Sequence, residues 1–547
     1  MNSIQGDRFK NLKDITKMNH ILKKLNFRHF NSAVALSALA MVVVLAFAAG
    51  CVKDTGNYDY KTSDEIAPNL VSGIEASYSS ISMDQLVIDP VMQENEDLFD
   101  YCWYAYPINN TNVKNDTIGR TRKLDYKVTM VSGTYYLIFK ATDKANKTAV
   151  FKRSMLTVSS IFGEGYYINK YENNMTDIDF VNRFGVVNSN ILKTVNGSSL
   201  EGKPIRLAYE VNRYSYNDTA ANGTVTRIAM KPALMVCSDN DFRVYHGESM
   251  KLLKTWDKLF YEKPAVKKPQ GVWANTSGFM FMNNNQVSFI NNNGANVGEF
   301  GYFYPVDNMK LNPMVSVING SNLLFDDNAG EFVGYYVQTL SPIKSAVKVA
   351  SPLTLAPVGE TYFTNSDLIY MGTQQYYYTS AGRTYAIVKN RSTGVYTLWQ
   401  MGTGNIQYGY IYDNGAKGLV IPSNFGVVRA KVFALKGGAS TALNTVIYYS
   451  AGDNNVSYYN PSNQTEVKNM ITIPSEEQIV AIEHNFDNYF SINKFSVLSN
   501  KAGNWILRVY NMVGATADVA VPEIATYTGT GLAKNMIYRH TNTQITY

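Results

Sequence analysis

The chain has 547 residues, 13% of them aromatic and only 17% charged, with 50 Lys and Arg against 44 Asp and Glu. Seven of the basic and two of the acidic residues lie in the first 50 positions, so the remainder carries 43 against 42. That near-neutral balance gives no argument for a nucleic-acid partner, and with three Cys in all the chain is no disulfide-stapled scaffold.

In chain order, residues 1–50 read as a secretory signal. Lys23, Lys24 and Arg28 form a basic segment, Ala33–Gly50 is apolar and small, and Ala48-Ala49-Gly50 precedes Cys51. Met18 would open a signal of ordinary length, leaving Met1 as an early start. The apolar run falls short of the ~20 residues of a membrane span, so a transmembrane anchor with an incidental Cys is the weaker alternative. Ala-Ala-Gly-Cys resembles a bacterial lipobox, with Ala48 where Leu is commonest. The resemblance implies cleavage before Cys51 and its lipidation. Residues 51–65 are polar and read as a lipid-anchored tether. Lys53-Asp54 partly resembles the surface-export signal of Bacteroidetes lipoproteins, which implies an outer-membrane protein facing the cell exterior.

Beyond the tether the chain is rich in Tyr, Asn, Gly, Thr and Val, without long helical periodicity, so the expected class is all-β. Residues 66–159 are expected to form a β-sandwich with strands at Gln85–Ile88, Tyr101–Ala105, Tyr126–Thr129, Thr134–Thr142 and Ala149–Val158. Tyr101-Cys102-Trp103 places an aromatic suited to fill the space between two sheets. Together with Gly133-Thr134-Tyr135 and Ala141-Thr142-Asp143 it resembles a polycystic-kidney-disease-type (PKD) domain. The Asp-Phe-Gly-Asp-Gly stretch common in such domains is replaced by Tyr104-Ala105-Tyr106-Pro107, so the domain is PKD-like. Cys102 and Cys237 are expected as buried free thiols.

From residue 160 to 547 a strand–turn–strand unit recurs, with starts near 163, 235, 279, 323, 367, 447 and 494. Intervals of about 44 residues between the starts from 235 to 367 match a four-stranded propeller blade. The expectation is a β-propeller of six to eight blades, seven being favoured, closed by Asn535–Tyr547. Unrelated hairpins in sandwiches are the alternative.

Searched for chemistry, the chain after Cys51 shows no metal-ligand spacing around His246, His484 or His540, no nucleophile elbow and no phosphate-binding loop. No cofactor is implied. Gly529-Thr530-Gly531 fails the dinucleotide fingerprint, and Asp239-Asn240-Asp241 lacks the later ligands of a calcium loop. A non-enzymatic role is therefore expected. Trp273, Tyr302, Tyr304, Tyr376, Tyr377, Tyr378 and Trp399, with the Asn runs Asn283–Asn285 and Asn291–Asn293, are candidate platforms for sugar rings or peptides, although most propeller aromatics fill the core.

The lipobox, Asn57-Tyr58-Asp59-Tyr60, the Tyr-x-Trp-Tyr strand and the propeller-like repeat together resemble the Bacteroidetes PKD-like lipoprotein family. That implies a surface lipoprotein accompanying a SusC/SusD-like outer-membrane transporter that takes up glycan or peptide. Three roles stay open: a binding or accessory subunit, an assembly subunit docking on the transporter without its own ligand, and, less favoured, a hydrolase.

Overall fold

The computed structural model describes residues 70–82, 84–108, 116–130, 132–275, 278–291, 298–303, 309–318, 321–336, 342–343, 348–350, 365–374, 383–402, 410–413, 418–437, 445–487, 492–514, 516–540 and 545–546. Cys51, the tether and the signal segment lie outside them. The fold is all-β: a PKD-like sandwich followed by a β-propeller. By compactness the chain falls into two units. The described residues of the smaller are 70–73, Pro90–Asp100 and Lys140–Lys152; those of the larger fall within Ile74–Asp89, Tyr101–Phe139 and Arg153–Tyr547.

The N-terminal sheet runs in the order Ser77–Ile81, Ala149–Ser159, Gly133–Asp143, Phe99–Pro107, Asp116–Gly119. Gln85–Ile88 pairs antiparallel with Leu124–Lys127. The five expected strands are present to within a few residues, while Ser77–Ile81 and Asp116–Gly119, polar and short, carried no alternation to mark them. Trp103 is fully buried against Phe139, ring centroids 4.8 Å apart, as a space-filling aromatic should be. Its indole N–H reaches the carbonyls of Thr121 and Arg122, both at 3.1 Å. Both described Cys are free thiols; Cys237 is buried, but Cys102 is only half-buried because it alternates with Trp103 on the strand.

Among the described residues, seven sheets build the propeller. Their first strands are Pro204–Thr219, Pro269–Asn275, Ser316–Ile318, Ser366–Gln374, Val432–Leu435, Gln478–Asp487 and Leu532–Arg539. Each first strand neighbours the next, and the last returns to Pro204–Thr219, so the ring is closed. Closure is made by strands from the two ends of this region. Leu532–Arg539 pairs antiparallel with Gly165–Glu172, whose sheet continues through Met175–Asn182. The expected closing hairpin is instead split: Ile545–Thr546 pairs with Pro204–Thr219 in the adjoining sheet. Gly165 permits the start of this closure at φ +148°, because a Cβ there would strike the Val181 carbonyl oxygen.

The repeats at 235, 279, 323, 447 and 494 all correspond to the second and third strands of successive sheets. Asp367 differs, lying in the first strand of its sheet, with the equivalent second strand at Arg383–Asn390. The third equal interval therefore joins non-equivalent positions.

Packing explains why the strands are apolar on both faces. Gly278–Asn283 is buried throughout. Phe279 and Phe281 join the cluster shared with the preceding sheet, through Phe242 and Val244. Met280 and Met282 join the next, with Leu324 and Val333. Alternate residues thus face opposite neighbours. The rings of Phe242 and Phe281 stack at 4.3 Å and 6°, worth about 1 kcal/mol beyond burial.

Candidate functional site

First strands of several blades bring Arg206, Met371, Leu435, Glu483 and Tyr538 to one cavity of about 400 Å³ inside the ring. These positions span most of the propeller in sequence; only ring closure unites them. The lining mixes apolar side chains with a few polar ones, which suits a small-molecule site.

Most of the polar lining is already satisfied. His484 accepts from the Gly437 N–H at Nδ1 (2.9 Å) and meets the Asn493 side-chain oxygen at Nε2 (2.9 Å), which assigns its proton to Nε2. Burial holds its pKa down at about 4, against the Asn493 bond, so the ring is neutral. Gln374 donates to the Lys436 carbonyl at 2.9 Å and accepts from Thr445 at 3.1 Å. Thr373 meets Ser316 at 2.5 Å and takes the Val317 N–H at 3.0 Å.

Two ionisable groups differ. The Arg206 guanidinium has no side-chain hydrogen bond or ion pair with any described residue, and its Nε is buried without a partner. It lies instead over the indole face of Trp273, 5.3 Å from the ring centroid. Burial alone pulls its pKa down to about 10, so it is still a cation at neutral pH. Glu483 accepts from the Tyr538 N–H at 3.3 Å, while its second oxygen is buried and unpartnered. Burial pushes this carboxyl up to about 7, with the Tyr538 bond opposing. It is the one carboxylate among the described lining residues.

The structure places the sequence-derived candidates differently. Trp273 is 1% exposed and supports Arg206 from behind rather than offering a face to ligand. Gly271 makes room for it, since a Cβ there would strike the Trp273 ring. Trp399 is 4% exposed, in the core between two blades, with its indole N–H on Thr397 at 2.9 Å. Both sit on strands buried on both faces, where a large aromatic fills inter-blade space. Tyr302 is exposed and packs edge-on against exposed Tyr261 at 5.6 Å, away from the cavity lining. Tyr304, Tyr376, Tyr377 and Tyr378 lie outside the described residues, as do Asn292 and Asn293. Asn284 and Asn285 take positive φ in the turn between two strands, at 44° and 63°. Asn283 is spent on backbone, donating to Val266 at 2.7 Å and accepting from Lys268 at 2.8 Å. Sequence reasoning missed Arg206 and Glu483; the available signal was a charge flanked by apolar residues, Ile205 and Leu207 around Arg206 and Ile482 before Glu483.

Among the described residues there is no group of three or more His, Cys, Asp or Glu placed to hold a metal, and no helix is long and apolar enough to cross a membrane.

Residues 51–204 match a PKD-like family, a stretch that covers the sandwich and enters the closing sheet. No curated protein matches the sequence. Among solved structures, the chain is similar to a quinonprotein alcohol dehydrogenase-like protein from Bacteroides thetaiotaomicron, at 12% identity and TM-score 0.40, over 85% of this chain and 97% of that one. A DUF4784 family protein from Bacteroides caccae gives 10% and 0.26, over 86% and 98%. The Dos1 propeller gives 8% and 0.33, over 63% and 94%. The region from Cys51 to Pro204 thus carries the sequence features of a PKD-like domain.

Proposed function

We propose that this protein is a non-enzymatic binding subunit, tethered by lipid on Cys51 to the outer face of the outer membrane, which captures a small glycan or peptide for a SusC/SusD-like transporter. The observation that carries the binding role is the cavity, where Arg206 and Glu483 stand without charge partners among the described residues, in a lining whose other polar groups are mostly satisfied. Uncompensated buried ionisable groups are costly to stability, and their concentration in a cavity marks a site kept for a ligand. Two features support binding over hydrolysis. A glycosidase needs two carboxyl groups about 5–10 Å apart, and Glu483 is alone in the described lining. A general base needs a free acceptor, and both nitrogens of His484 are engaged.

The test is calorimetry of the full-length protein against glycan and peptide libraries, with product analysis on the same samples. Binding without turnover, lost when Ile492→Trp fills the cavity, is the expected result. Product formation would establish a hydrolase. No ligand, together with stable co-purification with a transporter, would establish an assembly subunit. The anchor is tested separately: Cys51→Ala should move the protein out of the membrane fraction, and unchanged partitioning would contradict it.

A further inference from the structure

We propose that the cavity holds its ligand by a carboxylate group, with the Arg206 guanidinium as the group that receives it. This rests on the cavity being a ligand site, and adds the chemical class of what enters.

Arg206 presents a planar set of donors in a partly enclosed space, without a described carboxylate to use them. A guanidinium in that state is matched by a carboxylate, which accepts two parallel N–H bonds in one plane. The Trp273 ring behind it restrains the side chain, so less rotamer freedom is lost on binding. Trp273 is therefore a positioning residue.

The rest of the lining argues for a single negative charge rather than a phosphate dianion. Among the described lining residues Arg206 is the one Lys or Arg, and no helix terminus points inward to add backbone donors. The other titratable side chains facing the cavity are Glu483, His484, His540, Tyr370 and Tyr538. His484 is neutral, held on both nitrogens, and burial raises Tyr370 and Tyr538 well out of the physiological range. Glu483 decides whether the cavity tolerates an anion. Once ionised, it adds a negative charge to the same cavity and repels an entering carboxylate. Binding should therefore weaken as pH rises through 7.

A carboxylate could arrive on a sugar acid or on a peptide C-terminus. Titration calorimetry of the full-length protein in detergent at pH 6 separates them, using digalacturonate beside its methyl ester and Gly-Phe beside its C-terminal amide, with inorganic phosphate as control. At least one acid should bind ten-fold or more tightly than its neutral counterpart. Arg206→Met should remove that preference, Arg206→Lys should restore part of it, and Glu483→Gln should abolish the weakening between pH 6 and pH 8. Equal affinity for acid and neutral forms, phosphate binding as tight as the acids, or acid binding unchanged in Arg206→Met would overturn the proposal. If the neutral forms bind equally and Ile492→Trp blocks them, the cavity remains the ligand site and only the carboxylate assignment fails. If none of the probes binds at millimolar concentration, the assignment is wrong for both sources.

Discussion

The ring closure and the cavity both bury charge, and they treat it in opposite ways. At the closure Lys170 is fully buried, with its ammonium 2.9 Å from Asp179 and 3.0 Å from the Thr530 carbonyl. Asp179 also accepts from the Trp505 indole at 2.8 Å and the Asn190 N–H at 2.7 Å. One blade back, Glu477 takes two bonds from Arg508, at 2.6 and 2.8 Å, and a third from Ser499 at 2.6 Å. These groups tie second and third strands of adjoining sheets together, and Lys170, Asp179, Glu477 and Arg508 each have a counter-charge. In the cavity Arg206 and Glu483 have none among the described residues. Even Arg539, buried on the closing strand without an ion pair to a described residue, is held by the Phe162 and Gly247 carbonyls, both at 3.0 Å; a guanidinium with neither, in a cavity, points to a partner that arrives from outside.

This contrast can be broken most severely at Asp179. Asp179→Ala leaves buried Lys170 with only the Thr530 carbonyl and the more distant, part-exposed Glu172 at 3.5 Å, and removes the acceptor of Trp505, so stability in urea should fall by about 3–5 kcal/mol. A loss below about 1 kcal/mol would remove the distinction between the two regions. Glu477→Ala should cost about 2–4 kcal/mol through the bidentate Arg508 pair, somewhat less because Arg508 can also reach Glu523 at 3.8 Å.

Next in size is the pH dependence of the cavity. Glu483 has a folded pKa raised from 4.5 to about 7. Its proton is held more tightly in the folded state, so stability is greatest below 4.5 and declines as pH rises to 7, by about 3 kcal/mol in all. Glu483→Gln should remove that decline, leaving it more stable than the parent at pH 8 and little changed at pH 4. His484 acts in the other direction. Its folded pKa is lowered from 6.5 to about 4, so stability is full above 6.5 and is lost as pH falls towards 4. His484→Gln should flatten that acid limb. The titratable groups that feel Glu483 are Tyr166 and Tyr538, both raised in pKa chiefly by burial and in part by Glu483. Denaturant midpoints at pH 4, 6 and 8 check both variants. The smallest stability effect should come from Arg206→Met, since removing an unpaired buried charge should cost under about 1 kcal/mol or stabilise slightly.

Much of this architecture was legible before any coordinates. Trp103, flanked by a strand of β-formers, announced a sheet-filling aromatic, and the hairpins at Phe279–Ile290 and Leu323–Val333 carried their turns in Asn and Asp. Closure by the last strands followed from the recurrence of the unit at the C-terminus. The site was not legible, for a physical reason. Arg206, Glu483 and Tyr538 come together only through closure of the ring, which no local pattern encodes. Aromatics such as Trp273 drew attention because flat rings suit ligands, yet a first strand with neighbours on both faces buries them. The more useful sign was Glu483 between Ile482 and His484 on a strand of mixed polarity, a charge where burial should forbid one. The Asp367 repeat misled for a different reason: first and second strands share the same apolar pattern, so spacing alone cannot tell them apart.

The central claim is that the unpaired charge in the cavity is kept for a ligand and not for the fold. One measurement addresses it directly: chemical denaturation of Arg206→Met alongside calorimetry of the same preparation with the tightest-binding acid. Stability should stay within about 1 kcal/mol of the parent, and affinity for the acid should fall at least ten-fold. A loss of stability comparable to that of Asp179→Ala, with affinity unchanged, would make Arg206 a structural charge and contradict the account.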